Sequence, residues 1–188
     1  MFKRFSTGSV LGLAVAILLG ATAFAAKPVS SAKITPLGND VSYPQCGKAL
    51  PTTQTFGIVG VNGGLATTTN DCLNQQLTWA WQSSGTQQQP RAGVYVNTAN
   101  PGGLGTASWP QSNTDPAGNT SNDPYGNCDG SDSLGCAWQY GWNRAVEDVQ
   151  TRFIPAARAA SVDPNPATYR WWLDVETSNT WKTGSPFA

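Results

Sequence analysis

Four short segments of the chain, at least one of them a continuous apolar run, each predict a β-strand. The clearest lies at residues 56–62 (FGIVGVN), where small and apolar residues follow one another without polar alternation until a pair of glycines ends the run. Such a run is typical of a strand that is buried on both faces in a parallel sheet. We predict the other strands at residues 37–42, 90–98 and 169–176.

Between the later strands, apolar residues recur at helical spacing. We predict one helix at residues 71–83, capped by Thr69 or Asn70, and a longer one at residues 137–160. Pro155 should kink the longer helix or split off its last turn, because proline lacks the amide hydrogen that a helix interior needs. The helical residues expected to pack in the core are Leu73, Leu77, Trp79, Ala80, Trp81, Trp138, Trp142, Ala145, Val149, Phe153 and Ala156.

This order of elements is the strand–helix alternation of a parallel sheet with helices outside it. The sequence therefore predicts an α/β fold, and more narrowly a partial (β/α) TIM-type barrel with about four parallel strands and flanking helices. Residues 99–135, rich in Gly, Pro, Asn, Ser and Asp, separate the third strand from the second helix. Because so long a loop inside a compact domain is usually functional or disordered, we expect it to form a lid.

Polar residues lie at the carboxyl ends of the predicted strands, where β/α barrels build their active sites. These residues are Asp40, Asn62, Asn97, Asp174 and Glu176. Alternation along the last strand places Asp174 and Glu176 on one face with Trp172, while Trp171, Leu173 and Val175 should pack on the other. Two neighbouring carboxyls at the end of a buried strand push one pKa up and leave the other group ionised, which suits acid catalysis. The alternative is a pair of solvated acids at a strand end.

The composition excludes some catalytic centres and argues against one class of partner. The 188 residues include no histidine, which excludes Ser-His-Asp and Cys-His catalytic centres. The formal net charge is zero, so we expect no nucleic-acid partner, because such a partner requires a basic face. No motif indicates a metal, a nucleotide or another cofactor, and we expect none.

The four cysteines indicate disulfides in an oxidising compartment, because they lack the paired C-x-x-C spacing of thiolate zinc sites. Three pairings are possible. We favour Cys46–Cys72 and Cys128–Cys136, since each of these bonds closes a local loop.

The N-terminus indicates export. Two cations precede an apolar run at residues 10–19, and an Ala-Phe-Ala cleavage pattern follows. We predict a signal peptide at residues 1–25, a flexible lead at 26–36 and a secreted or cell-wall-associated domain at 37–188, with no stable membrane insertion after cleavage. An uncleaved membrane anchor is the alternative.

Two motifs resemble those of a known family. Residues 39–47 (NDVSYPQCG) resemble the D-V-S-x-x-Q-G that begins glycoside hydrolase family 25 lysozymes, and residues 173–176 (LDVE) resemble their L-D-x-E at the end of the fourth strand. The chain is more similar still to secreted actinobacterial relatives of that family. The runs that carry this likeness are FGIVGVNGGL at 56–65, YVNTANPG at 95–102 and WWLDVETSNTW at 171–181.

The resemblance implies an irregular β/α barrel that cuts β-1,4 bonds of peptidoglycan glycan strands with retention. By position, Glu176 matches the general acid/base, Asp174 matches the carboxylate that stabilises the oxocarbenium ion or the acetamido group, and Asp40 matches the acid of the first strand. A protonated carboxyl beside ionised neighbours suits this reaction. The chain departs from the family at residues 60–64, where K-A-T-E-G is usual, and at 95–97, where Y-H-F is usual. The resemblance therefore supports action on some cell-wall or extracellular polysaccharide better than it supports muramidase specificity.

Six further side chains are candidates for binding the glycan, through aromatic stacking on sugar rings or hydrogen bonds to hydroxyls. They are Asn62, Tyr95, Asn97, Trp109, Trp172 and Trp181. The alternative for the tryptophans is packing within the fold. The alternative for the two asparagines is a role as turn residues at strand ends.

A complete barrel takes about 250 residues and eight strands, whereas the pattern here yields about four. We therefore expect the N-terminal half of a C-terminally incomplete hydrolase domain, which needs its missing half to be completed. The expected function is a secreted glycoside hydrolase-like protein, and the alternative is a non-catalytic carbohydrate- or cell-wall-binding protein. Because half a barrel exposes sheet edges, a third reading is a chain that does not fold alone.

Overall fold

The computed structural model describes residues 37–103 and 106–181. The predicted signal peptide and the lead lie outside the described residues. Four strands, β1 (Gly38–Val41), β2 (Phe56–Gly60), β3 (Ala92–Asn97) and β4 (Arg170–Asp174), form one parallel sheet in the order β1-β2-β3-β4. The predicted α/β class and the four predicted strands are confirmed. Within the described chain β1 and β4 are the two edges of an open sheet.

The helices also begin and end close to their predicted bounds. Helix α1 spans Leu73–Trp81, and the Oδ1 atom of Asn70 accepts a hydrogen bond from the amide of Cys72 at 3.1 Å, directly before it. Helix α2 spans Leu134–Glu147 and begins earlier than predicted, because the side chain of Ser133 accepts from the amide of Cys136 at 3.2 Å and caps its first turn.

A π-helical segment, Asp148–Phe153, joins α2 to α3, which spans Ile154–Ala159. Pro155 lies in the first turn of α3, where a missing amide hydrogen is tolerated. The π-helical turn directly precedes this proline, so the predicted interruption appears as a change of helical type. Short 3₁₀ turns at Tyr43–Gln45 and Pro166–Thr168 complete the described helices.

One face of the sheet packs against α1, with α3 against α1 and Phe153 at the centre of the core. The ring of Phe153 is fully buried and meets the rings of Tyr169 and Trp171 edge-on, at centroid distances of 4.8 Å and 5.3 Å. The predicted core positions of Trp79 and Trp171 are confirmed, since Trp79 is buried and Trp171 packs against the core. The fully buried members of this core are Val59, Val61, Leu77, Ala80, Val94, Phe153 and Ala157.

The predicted apolar stripe of the long helix is partly wrong. Trp142 is 43% exposed and Ala145 is exposed, while Trp138 is half-buried and stacks on Trp142. The buried face of α2 and the π-helical segment keeps the predicted Phe153, together with Cys136 and Tyr140, but it also carries four polar side chains, namely Gln139, Asn143, Asp148 and Arg152. These groups can be buried because they bond to one another: Gln139 donates to Asn143 at 2.8 Å, and Arg152 pairs with Asp148 at 2.7 Å.

Both predicted disulfides are confirmed. Cys46–Cys72 ties the β1–β2 connection to the start of α1, with Cα atoms 5.5 Å apart. Cys128–Cys136 ties the loop at 99–135 to α2, with Cα atoms 4.4 Å apart. The bonds are compatible with an oxidising compartment. No helix in the described ranges has the length and apolar character needed to cross a membrane.

Alternation along β4 places Trp172 and Asp174 on the open face of the sheet, as predicted. The expected packing on the other face holds only for Trp171, because Leu173 is 71% exposed and Val175 is 66% exposed. In the described part of the chain no strand pairs with the outer edge of β4, and the side chains of Leu173 and Val175 stay exposed.

Candidate carboxylate site

Acidic and aromatic side chains meet on the open face, at the carboxyl end of the sheet. The parallel register pairs Tyr95 of β3 with Trp172 of β4 and Asn97 with Asp174, while Asp40 of the edge strand β1 pairs with Ile58 of β2. The residues that line the resulting shallow cleft of about 290 Å³ are Asp40, Ile58, Tyr95, Trp172, Leu173 and Asp174. The sheet thus brings together two predicted acids and two predicted sugar-binding aromatics.

Asp174 and Glu176 form the electrostatic centre of this site. Partial burial raises the pKa of Asp174, and the negative charge of Glu176, a hydrogen bond with Glu176 and the charge of Asp40 raise it further. Asp174 therefore binds its proton at a higher pH than an isolated aspartate does. This is the pairing that the D-x-E spacing predicts. The assignment of the proton donor to Glu176 stays a prediction.

A tight turn after β4 holds Glu176 in place. The backbone carbonyl of Glu176 accepts hydrogen bonds from the indole Nε1 of Trp181 at 2.7 Å and from the amide of Asn179 at 3.1 Å. The hydroxyl of Ser178 donates to the Glu176 carboxylate at 3.1 Å. Trp181 therefore fixes the backbone of Glu176 through its indole nitrogen.

The same turn is fastened to the end of β3. The amide and the hydroxyl of Thr98 donate to the carbonyl of Asp174, at 3.0 Å and 2.8 Å, and Asn179 donates to the carbonyl of Thr98 at 3.0 Å. The amide of Asn100 donates to the carbonyl of Thr180 at 3.0 Å. Sequence reasoning missed Thr98 and Asn179, because nothing in the pattern shows that their partners lie on a distant segment.

Tyr95 lies across β2 toward β1, where its hydroxyl is hydrogen-bonded to Ser42. Burial raises the pKa of Tyr95, the bond to Ser42 lowers it, and the carboxylates of Asp40, Asp174 and Glu176 raise it, with a net rise. The phenol is therefore a neutral hydrogen-bonding group. Gly60 makes this placement possible, because a Cβ there would lie 2.7 Å from the Cβ of Ser42 and 2.9 Å from the Cζ of Tyr95.

Asn62 and Asn97 bind each other. The Oδ1 atom of Asn62 accepts from both the amide and the side chain of Asn97 at 3.0 Å, and its Nδ2 donates to the carbonyl of Asn97 at 3.1 Å. Asn62 is fully buried and Asn97 is 6% exposed. These contacts favour the alternative in which both residues fix the ends of β2 and β3.

Trp109 is likewise part of the loop's own core. It is 5% exposed, stacks on Tyr140 with ring centroids 5.7 Å apart, and donates its indole hydrogen to the carbonyl of Ser131 at 3.2 Å. This burial beside Cys128 and Cys136 favours packing over sugar binding for Trp109. Of the predicted binding residues, Tyr95 and Trp172 line the carboxylate cleft, and Trp181 contacts the backbone of Glu176.

The described residues contain no group of three or more metal-ligating side chains placed to hold a metal ion. The site can offer coupled carboxyl groups, a neutral phenol and the exposed ring of Trp172. Such a set can exchange a proton, stabilise nearby positive charge and stack on a flat apolar ligand. Comparisons of this chain with protein-family models, curated proteins and solved structures give no match.

Proposed function

We propose that this chain is a secreted or cell-wall-associated glycoside hydrolase-like protein, which acts on a cell-wall or extracellular polysaccharide by carboxylate acid/base catalysis. In this proposal Glu176 protonates the leaving oxygen, Asp174 stabilises positive charge at the reacting carbon, and Asp40 supports the anionic side of the site. Trp172 and Tyr95 bind the sugar by stacking and by a hydrogen bond. The single observation that carries the proposal is the meeting of Asp40, Tyr95, Trp172 and Asp174 in one cleft at the carboxyl end of the parallel sheet.

The sheet order supports a finer statement about the fold. Four parallel strands in sequential order, with helical connections and carboxylates at their carboxyl ends, are what the first half of a (β/α) TIM-type barrel would present. We propose that the sheet is this half, and that further βα units complete the barrel and enclose the cleft. The motifs at residues 39–47 and 173–176 support the same assignment.

One observation favours a second candidate, a carbohydrate-binding protein without hydrolytic activity. Trp172 is 48% exposed and the cleft is open to water in the described chain, whereas hydrolases enclose their reacting groups to strengthen electrostatic interactions. An open face with an aromatic ring can bind a glycan without cleaving it.

Release of reducing ends from purified peptidoglycan and from a panel of neutral polysaccharides tests the proposal. We expect Glu176→Gln to lower the rate by about 10²–10⁴-fold, the usual contribution of a general acid. The matched control is Asp71→Asn, which removes an exposed carboxylate away from the cleft and should leave the rate unchanged. Wild-type cleavage that survives Glu176→Gln would refute the hydrolase mechanism. Glycan binding without cleavage that survives Asp174→Asn/Glu176→Gln would establish the second candidate.

A further inference from the structure

A second cleft lies beside the carboxylate site, between the 99–135 loop, α2 and the turn after β4. Its aromatic walls are Tyr125, Trp138 and Trp181, and its volume is about 240 Å³. This volume lies below the usual range of pockets for drug-sized ligands and suits a single ring. None of the described residues that line the cleft carries a charge, so its ligand should be neutral.

The ring of Trp138 is held in a defined orientation. It stacks on Trp142 with ring centroids 5.4 Å apart and an interplanar angle of 12°. Trp142 in turn donates its indole hydrogen to Asp115 at 3.4 Å. A ring fixed by such neighbours loses little freedom when a ligand stacks on it, which favours binding.

Gly141 lies where α2 lines this cleft, and it has no side chain to fill the space. Glycine inside a helix is unfavourable relative to alanine, and it is usually explained by a close neighbour that leaves no space for a Cβ. At Gly141 there is no such neighbour, because a Cβ would meet nothing within 4 Å. The packing of the described chain therefore does not explain this glycine, and a large side chain at this position would occupy the open cleft that Gly141 lines.

The cleft is adjacent to the turn that carries Glu176. Trp181 lines the cleft and also donates to the carbonyl of Glu176 at 2.7 Å, so one residue connects the two places. Ala99 lines the aromatic cleft and also a third, more polar cleft of about 170 Å³, which includes Asn179 and Thr180. A ligand in the aromatic cleft would thus lie next to the turn that positions Glu176.

We propose that the cleft of Tyr125, Trp138 and Trp181 is a sugar subsite, which binds one neutral pyranose ring of the polysaccharide by stacking. The apolar faces of pyranose rings fit aromatic walls, and their hydroxyl groups stay at the open mouth of the cleft. The assignment rests on the proposed function for the class of ligand. It adds a binding site that lies outside the carboxylate cleft.

The test uses the chain with Glu176→Gln, so that the probe is not cleaved, and tetramers of β-1,4-linked N-acetylglucosamine and of glucose as probes. The indole N–H signal of Trp138, identified by its loss in Trp138→Phe, reports on the cleft in NMR titrations. We expect a saturable shift of this signal with at least one tetramer. Gly141→Leu, which fills the cleft without removing an aromatic wall, should weaken that binding at least tenfold.

Tyr125→Ala should weaken binding as well, and Tyr43→Ala is its matched control. Tyr43 is 50% exposed against 52% for Tyr125, but it does not line the cleft. An unmoved Trp138 signal with both tetramers would overturn the assignment. So would unchanged affinity in Gly141→Leu, or a shift caused by decaproline and by neither sugar.

The two proposals fail in different ways. If Gly141→Leu abolishes sugar binding while Glu176→Gln still cleaves glycan, the sugar subsite stands and the hydrolase mechanism fails. If Glu176→Gln loses cleavage while Gly141→Leu binds sugar normally, the mechanism stands and the subsite fails. A thermal melt of Gly141→Leu that matches the parent protein separates both outcomes from misfolding.

Discussion

The indole nitrogen of Trp181 donates a hydrogen bond to the backbone carbonyl of Glu176 at 2.7 Å. This bond closes the turn after β4, and the same turn is fastened to β3 through Asn179 and Thr98. The position of the proposed acid therefore depends on an aromatic residue five positions later in the chain, whose ring also forms a wall of the neighbouring cleft.

Trp181→Phe separates these two roles, because phenylalanine keeps an aromatic face and loses the indole donor. If the hydrolase mechanism holds, we expect kcat to fall about tenfold with little change in KM, as the carboxylate of Glu176 becomes less well positioned. Steady-state kinetics on a soluble glycan measure both constants. An increase in KM with kcat unchanged would contradict a positioning role.

Asp148 should make the folded state less stable as pH rises from about 4 to 6. Burial raises the pKa of Asp148 to about 6, and the positive charges of Arg152 and Arg144 only partly oppose the rise. The folded state therefore binds this proton more tightly than the unfolded state does. A stabilisation of up to about 3 kcal/mol is present below the ordinary aspartate pKa and is lost as pH passes through 6.

Urea denaturation of the wild type and of Asp148→Asn at pH 4, 5, 6 and 7 measures this contribution. The difference between the two proteins isolates Asp148 from the other acids, and Asp163→Asn serves as the control. We expect the free energy of unfolding of Asp148→Asn to fall less over this range than that of the wild type. Parallel pH profiles for these two proteins would contradict the prediction.

Asp115 should hold the middle of the 99–135 loop together. Its Oδ1 atom accepts from the amides of Ala117 and Asn119 at 2.9 Å, and Oδ2 accepts from the indole of Trp142 at 3.4 Å. The hydrogen bond from the Asn119 amide is the largest of the effects that lower the pKa of Asp115. The stabilisation is therefore present above the ordinary aspartate pKa and is lost as pH falls through the lowered value.

Asp115→Ala should increase amide hydrogen exchange at residues 113–121 while the exchange of β2 and β3 stays slow. The control is Asp129→Ala, which removes the acceptor of a different turn at Ser131. Equal protection of residues 113–121 in Asp115→Ala and in the wild type would show that the loop does not depend on this carboxylate.

Gly141→Ala should stabilise the protein. The residue lies inside α2, and a Cβ there would contact nothing within 4 Å, so alanine gains helix propensity without a clash. We expect the free energy of unfolding to rise by about 0.5–1 kcal/mol, measured by chemical denaturation. Gly57→Ala is the contrasting variant, because its Cβ would lie 2.7 Å from the ring of Trp79 and should destabilise the fold. A loss of stability in Gly141→Ala would show a packing role for the glycine.

The sequence alone determined the features that depend on local pattern. Runs such as 56–62 predicted the buried strands, alternation along residues 169–176 predicted that Trp172 and Asp174 share a face, and local loop closure predicted both disulfides. These features follow from the chain geometry of a strand and from short sequence separations, so they can be read without knowing what packs against them.

Only the tertiary structure decided which polar groups are buried and which aromatic residues are exposed to solvent. Asn62 and Asn97 are 35 positions apart, and Trp109 donates to a carbonyl 22 positions away, so neither burial could be predicted from the pattern around each residue. The predicted apolar stripe of α2 is partly wrong because Gln139 is buried through hydrogen bonds to Asn143 and to Ser121 of the loop, while Trp142 stays 43% exposed. Burial depends on partners, and the fold brings those partners together from distant parts of the chain.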